Sequence, residues 1–293
     1  MPYARPDALV STEWLAGHLQ SPGVRVVDAS WFFPATGKTG RVEFEREHIA
    51  EAVFFDIDDI AAPKVAPPDG VILPHMMPDA RRFAQMVGDL GLGNGNRIII
   101  YDRVGGGSAA ARVWFMFRNF GHNDVALLDG GLTKWILESR PVTADLIPSR
   151  QRSFTVTPRP NLIRDKAAMK ANLTSKRDQV IDARSRGRFA GTEQEMWPHV
   201  KVGHIPGSRN VPWTELLDPE TKAVLPAEAI AKKFIEAGIT PAKPIVASCG
   251  SGVSACMLAF GLYLLGKEEV ALYDGSWAEW GNVSDTPFAL GEA

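Results

Sequence analysis

Short apolar runs recur along the chain at VRVVDAS (24–30), RIIIYD (97–102) and VALLDG (125–130). They return at VIDAR (180–184), PIVAS (244–248) and VALYDG (270–275). Continuous Val, Ile and Leu without polar alternation is the pattern of parallel strands buried on both faces. Longer segments lie among them: DARRFAQMVGDLGL (79–92), AAARVWFMFRNFG (109–121), AEAIAKKFIEAGI (227–239) and VSACMLAFGLYLLG (253–266). These read as helices. Strands alternating with helices predict an α/β fold on a mostly parallel sheet flanked by helices.

The pattern occurs twice. GHNDVALLDGGLTKW (121–135) and GKEEVALYDGSWAEW (266–280) share seven of fifteen positions without a gap. VVDAS pairs with VIDAR, EHIAEAVFF (47–55) with GHIPGSRNV (203–211), and RIIIYD with PIVAS, in the same order. A long unit present only twice means two similar domains, since a solenoid needs several short units. The stretch 138–161 is polar and Pro-rich without a period and reads as the connection. The expected division is a first domain at 1–140, a linker at 141–161 and a second domain at 162–293.

Composition narrows the function. Two domains suit 293 residues. Lys+Arg 32 against Asp+Glu 34 gives a net charge of −2, without the basic excess of a nucleic-acid binder. No apolar run reaches membrane-spanning length, so no membrane association is expected. The N-terminus lacks the charged and apolar regions of a signal peptide. Two cysteines, Cys249 and Cys256, cannot build a disulfide framework, and a reducing cytoplasm is the expected compartment.

Ligands of open α/β sheets bind beyond the carboxyl ends of the strands. There PIVASCGSGVSACMLAFGLYLLG places Cys249 between a strand and a helix. Gly250 and Gly252 let the backbone wrap closely. The helix N-terminus aims free N–H groups into the loop, including those of Val253 and Ser254. Such a cradle lowers a thiol's pKa and stabilises a negative intermediate. Nucleophilic thiolate chemistry follows. A Cys-based phosphatase needs an Arg six positions after the nucleophile. Ala255 stands there, and no Arg follows Cys249. Sulfur transfer through a persulfide remains. Cys256, within an apolar helix, reads as packing.

These motifs, with ARVWFMFRNFGH, LLDGGLTKW, GHIPG and YDGSWAEW, resemble the tandem-domain rhodanese family over nearly the whole chain. CGSGVSA is similar to the loop of its mercaptopyruvate-type members. The resemblance implies two tandem rhodanese-like domains and a sulfurtransferase. Sulfur would pass from 3-mercaptopyruvate through a Cys249 persulfide to a thiol, thioredoxin or cyanide, releasing pyruvate without metal or organic cofactor. Thiosulfate is the alternative donor, and a sulfur carrier without turnover is a third reading. The family's first domain lacks the cysteine. Here that region is YDRVGGGSAA, in which either Val104 or Asp102 matches Cys249, depending on a loop insertion. The GGG at 105–107 lacks the Lys-Ser/Thr of a phosphate loop.

The resemblance also implies helpers. Ser251 would work with His75, from LPHMMP, and Asp58, the second acid of FFDID, in a Ser-His-Asp arrangement. Arg188, from GRF, would hold the donor's carboxylate. A second Arg expected nine residues later is Trp197 here, with Lys201 or His199 as possible substitutes. Arg184 could serve the site or pair with a carboxylate. His48 and His204 match in the repeat, as do Trp135 and Trp280, which suggests structural roles. Trp277 could wall the site or pack.

Overall fold

The computed structural model describes residues 1–64, 72–105, 109–197 and 199–292. Its strands are β1 (Leu9–Val10), β2 (Val24–Asp28), β3 (Ala52–Phe54), β4 (Arg97–Tyr101), β5 (Val125–Leu128), β6 (Ile163–Arg164), β7 (Gln179–Asp182), β8 (Arg209–Asn210), β9 (Ile245–Ser248) and β10 (Ala271–Tyr273). The α-helices are α1 (Thr12–His18), α2 (Gly40–Arg46), α3 (Ile57–Ile60), α4 (Ala80–Asp89), α5 (Ala109–Asn119), α6 (Gly131–Leu137), α7 (Lys166–Ser175), α8 (Arg186–Ala190), α9 (Ala227–Glu236), α10 (Ala255–Leu264) and α11 (Ser276–Trp280).

Two five-stranded sheets result, ordered β1-β5-β4-β2-β3 and β6-β10-β9-β7-β8, and every pairing is parallel. The two orders are the same, so the duplication in sequence is a duplication in topology. The six apolar runs are β2, β4, β5, β7, β9 and β10. The remaining four strands have two or three residues each. That is too short to show a period, and their pairing comes from the neighbouring strand.

Helices α5 and α10 are buried along their whole lengths. They pack on each other between the two halves. Trp114 meets Phe260 edge-to-face at 5.0 Å and Tyr263 at 5.2 Å, and the Arg118 guanidinium lies 4.0 Å from the Tyr263 ring centre. One contiguous apolar cluster runs from Phe83 and Phe117 through Trp114 to Phe260 and Leu262. A helix apolar on every side is explained by a sheet on one flank and a partner helix on the other.

Matching acids at the ends of β5 and β10 stitch the halves. Asp129 accepts from Val224 N (2.7 Å), and Asp274 accepts from Met77 N (2.6 Å). The segment after α6 runs extended along the first half. It bonds back through Thr143 to His48, Arg152 to Gly88 and Thr157 to Phe120, and buries Phe154. Among the described residues no helix is long and apolar enough to cross a membrane.

The matched histidines share one job. His48 Nδ1 lies 2.7 Å from Phe44 O and its ring stacks on Phe44; His204 Nδ1 lies 2.8 Å from Phe189 O and stacks on Phe189. The matched tryptophans do too, donating to Pro141 O (Trp135) and Pro287 O (Trp280). Cys256 is buried in α10 with its Sγ 3.4 Å from Gly252 O, and burial pushes its thiol up to about 12.

Candidate active site

Cys249 follows β9 directly, at the carboxyl edge of the second sheet, and is buried. Its neighbours fix the loop. Cys249 N donates to Ser276 Oγ (3.1 Å), Cys249 O accepts from Trp277 N (3.0 Å), and Gly250 O accepts from Ala278 N (2.7 Å). Among the described residues, the N–H groups of Gly250 to Ser254 donate to no protein acceptor. These donors stand at the head of α10, where the helix dipole adds partial positive charge. Gly252 is required: its φ is +76°, and a Cβ would lie 2.6 Å from Asp274 O.

The first half carries a different residue at the place equivalent to the cysteine. Asp28 pairs with Tyr101 across β2 and β4, as Asp182 pairs with Ser248 across β7 and β9. Asp102 therefore stands at the Cys249 position, and Val104 does not. The strand ends are 249 − 102 = 147 apart, but the repeated segments are 266 − 121 = 145 apart, so the first connection carries two extra residues. Asp102 accepts from Val104 N (2.9 Å) and Ala110 N (3.1 Å). Of the three glycines at 105–107, Gly106 and Gly107 lie outside the described residues.

Ser251, His75 and Asp58 meet across the interface. His75 Nδ1 is 3.1 Å from Ser251 Oγ, and His75 Nε2 is 3.4 Å from Asp58 Oδ1. Trp31 Nε1 donates to Asp58 Oδ2 (2.8 Å). The His75 contact, opposed by partial burial and helped by Trp31, holds the Asp58 carboxyl well below the usual carboxylate range. Asp56 has a different task. It caps α3, accepting from Asp58 N (2.9 Å).

Arg112, at the buried face of α5, ties this set to the loop. It donates to His75 O (2.5 Å) and Gly252 O (3.2 Å), and its Nη2 lies 2.7 Å from Asp274 Oδ1. One guanidinium thus spans the histidine, the cysteine loop and the acid at the end of β10. His75 has φ +58°, uncommon for a residue with a Cβ, and the Arg112 bond helps to hold it.

Above the loop lies a cleft of about 190 Å³. Cys249, Gly250, Ser251, Val253 and Ser254 form its floor. Trp31 and Phe33 come from the first half, and Arg188, Met196, Trp197 and Trp213 from the second. Arg188 projects from α8 and bonds Glu195 Oε2 through Nη2 (2.6 Å) and Nε (3.2 Å). The Glu195 side chain is itself buried, with its other oxygen 2.5 Å from Arg184 Nη1. A Cβ on Gly250 would lie 2.9 Å from Arg188 Nη2 and 3.5 Å from Trp197 Nε1, so both groups hang over the loop.

Several sequence expectations change here. Arg184 is a structural partner: it grips Asp182 and Gly203 O and stacks over Trp277 at 4.6 Å. Trp277 lies under that guanidinium and donates to Lys201 O, away from the cleft lining. Lys201 does not replace an arginine in the cleft, because its Nζ donates to Val283 O (2.8 Å). His199 is also outside the lining. Sequence reasoning missed Ser276, Glu195, Arg112, Asp274, Trp31 and Phe33. Only Asp274 carried a signal, as the repeat partner of Asp129 in the two DG turns.

Comparison with known proteins agrees with this architecture. A family model described as a rhodanese-like domain matches residues 11–138 and again 165–282. The chain is 43% identical to 3-mercaptopyruvate sulfurtransferase of Homo sapiens over 93% of its own length and 91% of that protein's. It is 38% identical to thiosulfate/3-mercaptopyruvate sulfurtransferase 1, mitochondrial, of Arabidopsis thaliana, over 96% of this chain and 78% of that one. Among solved structures it is similar to SseA from Escherichia coli, described with the rhodanese fold and catalytic mechanism of 3-mercaptopyruvate sulfotransferases. That match has a TM-score of 0.81 at 32% identity and covers 92% of this chain and 98% of that one.

Proposed function

The chain belongs to the rhodanese-like domain family and is a sulfurtransferase, and from that premise we propose that 3-mercaptopyruvate is its sulfur donor. Cys249, as thiolate, attacks the donor's sulfur. The S–C bond breaks, and its electron pair passes into the enolate of pyruvate, which takes a proton. The sulfur stays on Cys249 as a persulfide, and no external oxidant or reductant is needed. The N–H groups of Gly250, Gly252, Val253 and Ser254 hold the persulfide anion. Arg188 binds the donor's carboxylate. Ser251, polarised by His75 and oriented through Asp58, hydrogen-bonds the carbonyl and relays the proton to the enolate. A thiol acceptor, with reduced thioredoxin as the cellular candidate, then removes the outer sulfur and restores Cys249.

The observation that carries the donor assignment is the 3.1 Å contact of Ser251 with His75 beside Cys249. A carbonyl-bearing donor uses that pair, whereas thiosulfate has neither a carbonyl nor an enolate to protonate. The cation over the loop, Arg188, is already paired with Glu195, which suits a single carboxylate better than a dianion. In this reading residues 1–140 form the platform domain and 162–293 the catalytic one, and the enzyme works in the cytoplasm. Subcellular fractionation distinguishes this from the mitochondrial location in the Arabidopsis relative's name.

The test is kcat/KM for 3-mercaptopyruvate and for thiosulfate with the same thiol acceptor. A preference for the oxo acid above about tenfold, roughly 1.4 kcal/mol of transition-state stabilisation, is expected. The reverse preference overturns the donor assignment, and a single turnover without recycling assigns a carrier role instead.

A further inference from the structure

Four aromatic rings form a closed circuit beside the cleft, three of them (Trp31, Phe33 and Trp197) lining it and the fourth, His75, buried behind. Trp31 meets Phe33 at 6.2 Å, Phe33 meets Trp197 at 5.4 Å, Trp197 meets His75 at 6.0 Å, and His75 meets Trp31 at 4.9 Å. Every step is edge-to-face, with interplanar angles from 66° to 86°. Three of the rings belong to the first half, and Trp197 alone comes from the second. The indole is therefore held edge-on by two of them, Phe33 and His75. Its Nε1 points back toward the cysteine loop, 3.5 Å from where a Cβ on Gly250 would stand.

The indole N–H is also available. Trp31, Trp135, Trp277 and Trp280 each donate to a protein oxygen. Among the described residues Trp197 Nε1 donates to none, although it lines the cleft beside Arg188. Arg188 Nη2 converges on the same point over Gly250 from 2.9 Å. Two donors of different character thus face one spot: a guanidinium tied to Glu195 and a neutral, unpartnered indole.

We propose that Trp197 is a specificity-determining residue that touches substrate, its indole N–H donating to the donor's carboxylate beside Arg188. This rests on the donor assignment above and deepens it. One shared positive charge and one neutral donor match a planar monoanion, while a compact dianion would find the same N–H but no second cation to offset its second charge on leaving water. Selectivity for oxo-acid donors then follows from Trp197 as well as from Ser251.

Two variants and one binding measurement test the proposal. Trp197→Phe keeps a ring on Phe33 and His75 but removes the N–H. It raises KM for 3-mercaptopyruvate about tenfold with kcat within about twofold, the effect of losing one hydrogen bond from an uncharged donor to a carboxylate. Trp197→Arg improves kcat/KM for thiosulfate about tenfold by adding a cation. Pyruvate binding to the resting enzyme, followed by calorimetry, reads the contact without turnover, and its Kd rises about tenfold in Trp197→Phe. An unchanged pyruvate Kd in a variant whose melting temperature matches wild type overturns the proposal. A wild-type preference for thiosulfate overturns the donor assignment instead and leaves the pyruvate result to decide the indole contact.

Discussion

The chain leaves β4 at Asp102 and β9 at Cys249, two places made equivalent by strand register but given opposite chemistry. In the first half a carboxylate occupies the turn, and its oxygens take the N–H groups of Val104 and Ala110. In the second half the smaller thiol leaves the N–H groups from Gly250 to Ser254 without protein acceptors. Both loops favour an anion, but one carries its own and the other is open to one formed during reaction. Under the proposed function, this difference accounts for placing the nucleophile in the second half of a duplicated fold. The first half instead sends His75 and Asp58 across to the loop it does not contain.

The largest expected effect lies at the open loop. Cys249→Ser lowers kcat/KM by more than about 10³-fold with either donor, because the nucleophile is lost. Cys256→Ala, at the buried thiol, leaves kcat unchanged. Next comes the clamp between the halves. Arg112→Leu leaves Asp274 buried without its partner and destabilises the fold by about 3–5 kcal/mol, read from chemical denaturation. Residual activity in the folded fraction also falls, since His75 O and Gly252 O lose their donor. His75→Ala lowers kcat for 3-mercaptopyruvate about 10²-fold and changes kcat for thiosulfate far less. Equal losses for both donors contradict the proton relay.

Smaller effects sharpen the contrast with the closed loop. Asp102→Ala costs about 1–2 kcal/mol of stability through lost N–H acceptors, while kcat/KM stays within about twofold. The smallest is a pH effect at Asp58. Its folded pKa is depressed, so the pairing stabilises the protein above the ordinary carboxylate pKa of about 3.9. That contribution fades as pH falls below it toward the depressed folded value. The stability difference between wild type and Asp58→Asn, measured by urea titration, is therefore constant near neutral pH and shrinks in acid. A difference that grows in acid has the wrong sign for this account.

Much of the fold was legible because buried parallel strands are written as apolar runs and because the sequence says everything twice. The edge strands β1, β3, β6 and β8 were not, since two or three residues carry no period and depend on the neighbouring strand. Cys249 and its glycines were legible as strand, loop and helix. Ser251, His75 and Asp58 came only with the family resemblance, because Ser251 and His75 are 176 residues apart and meet through the packing of α5 on α10. Arg112, within the apolar run of α5, and Glu195, in the polar segment after α8, carried no signal in the sequence. Only folding places the first between two loops and the second between two arginines. Register likewise settled Asp102 over Val104, which spacing alone had left open.

The most direct test is intact-protein and peptide mass spectrometry after 3-mercaptopyruvate is added without acceptor. The account predicts that the Cys249 peptide gains the mass of one sulfur atom, with one pyruvate released per chain and the Cys256 peptide unchanged. Sulfur on Cys256, or pyruvate release without any sulfur on Cys249, contradicts it.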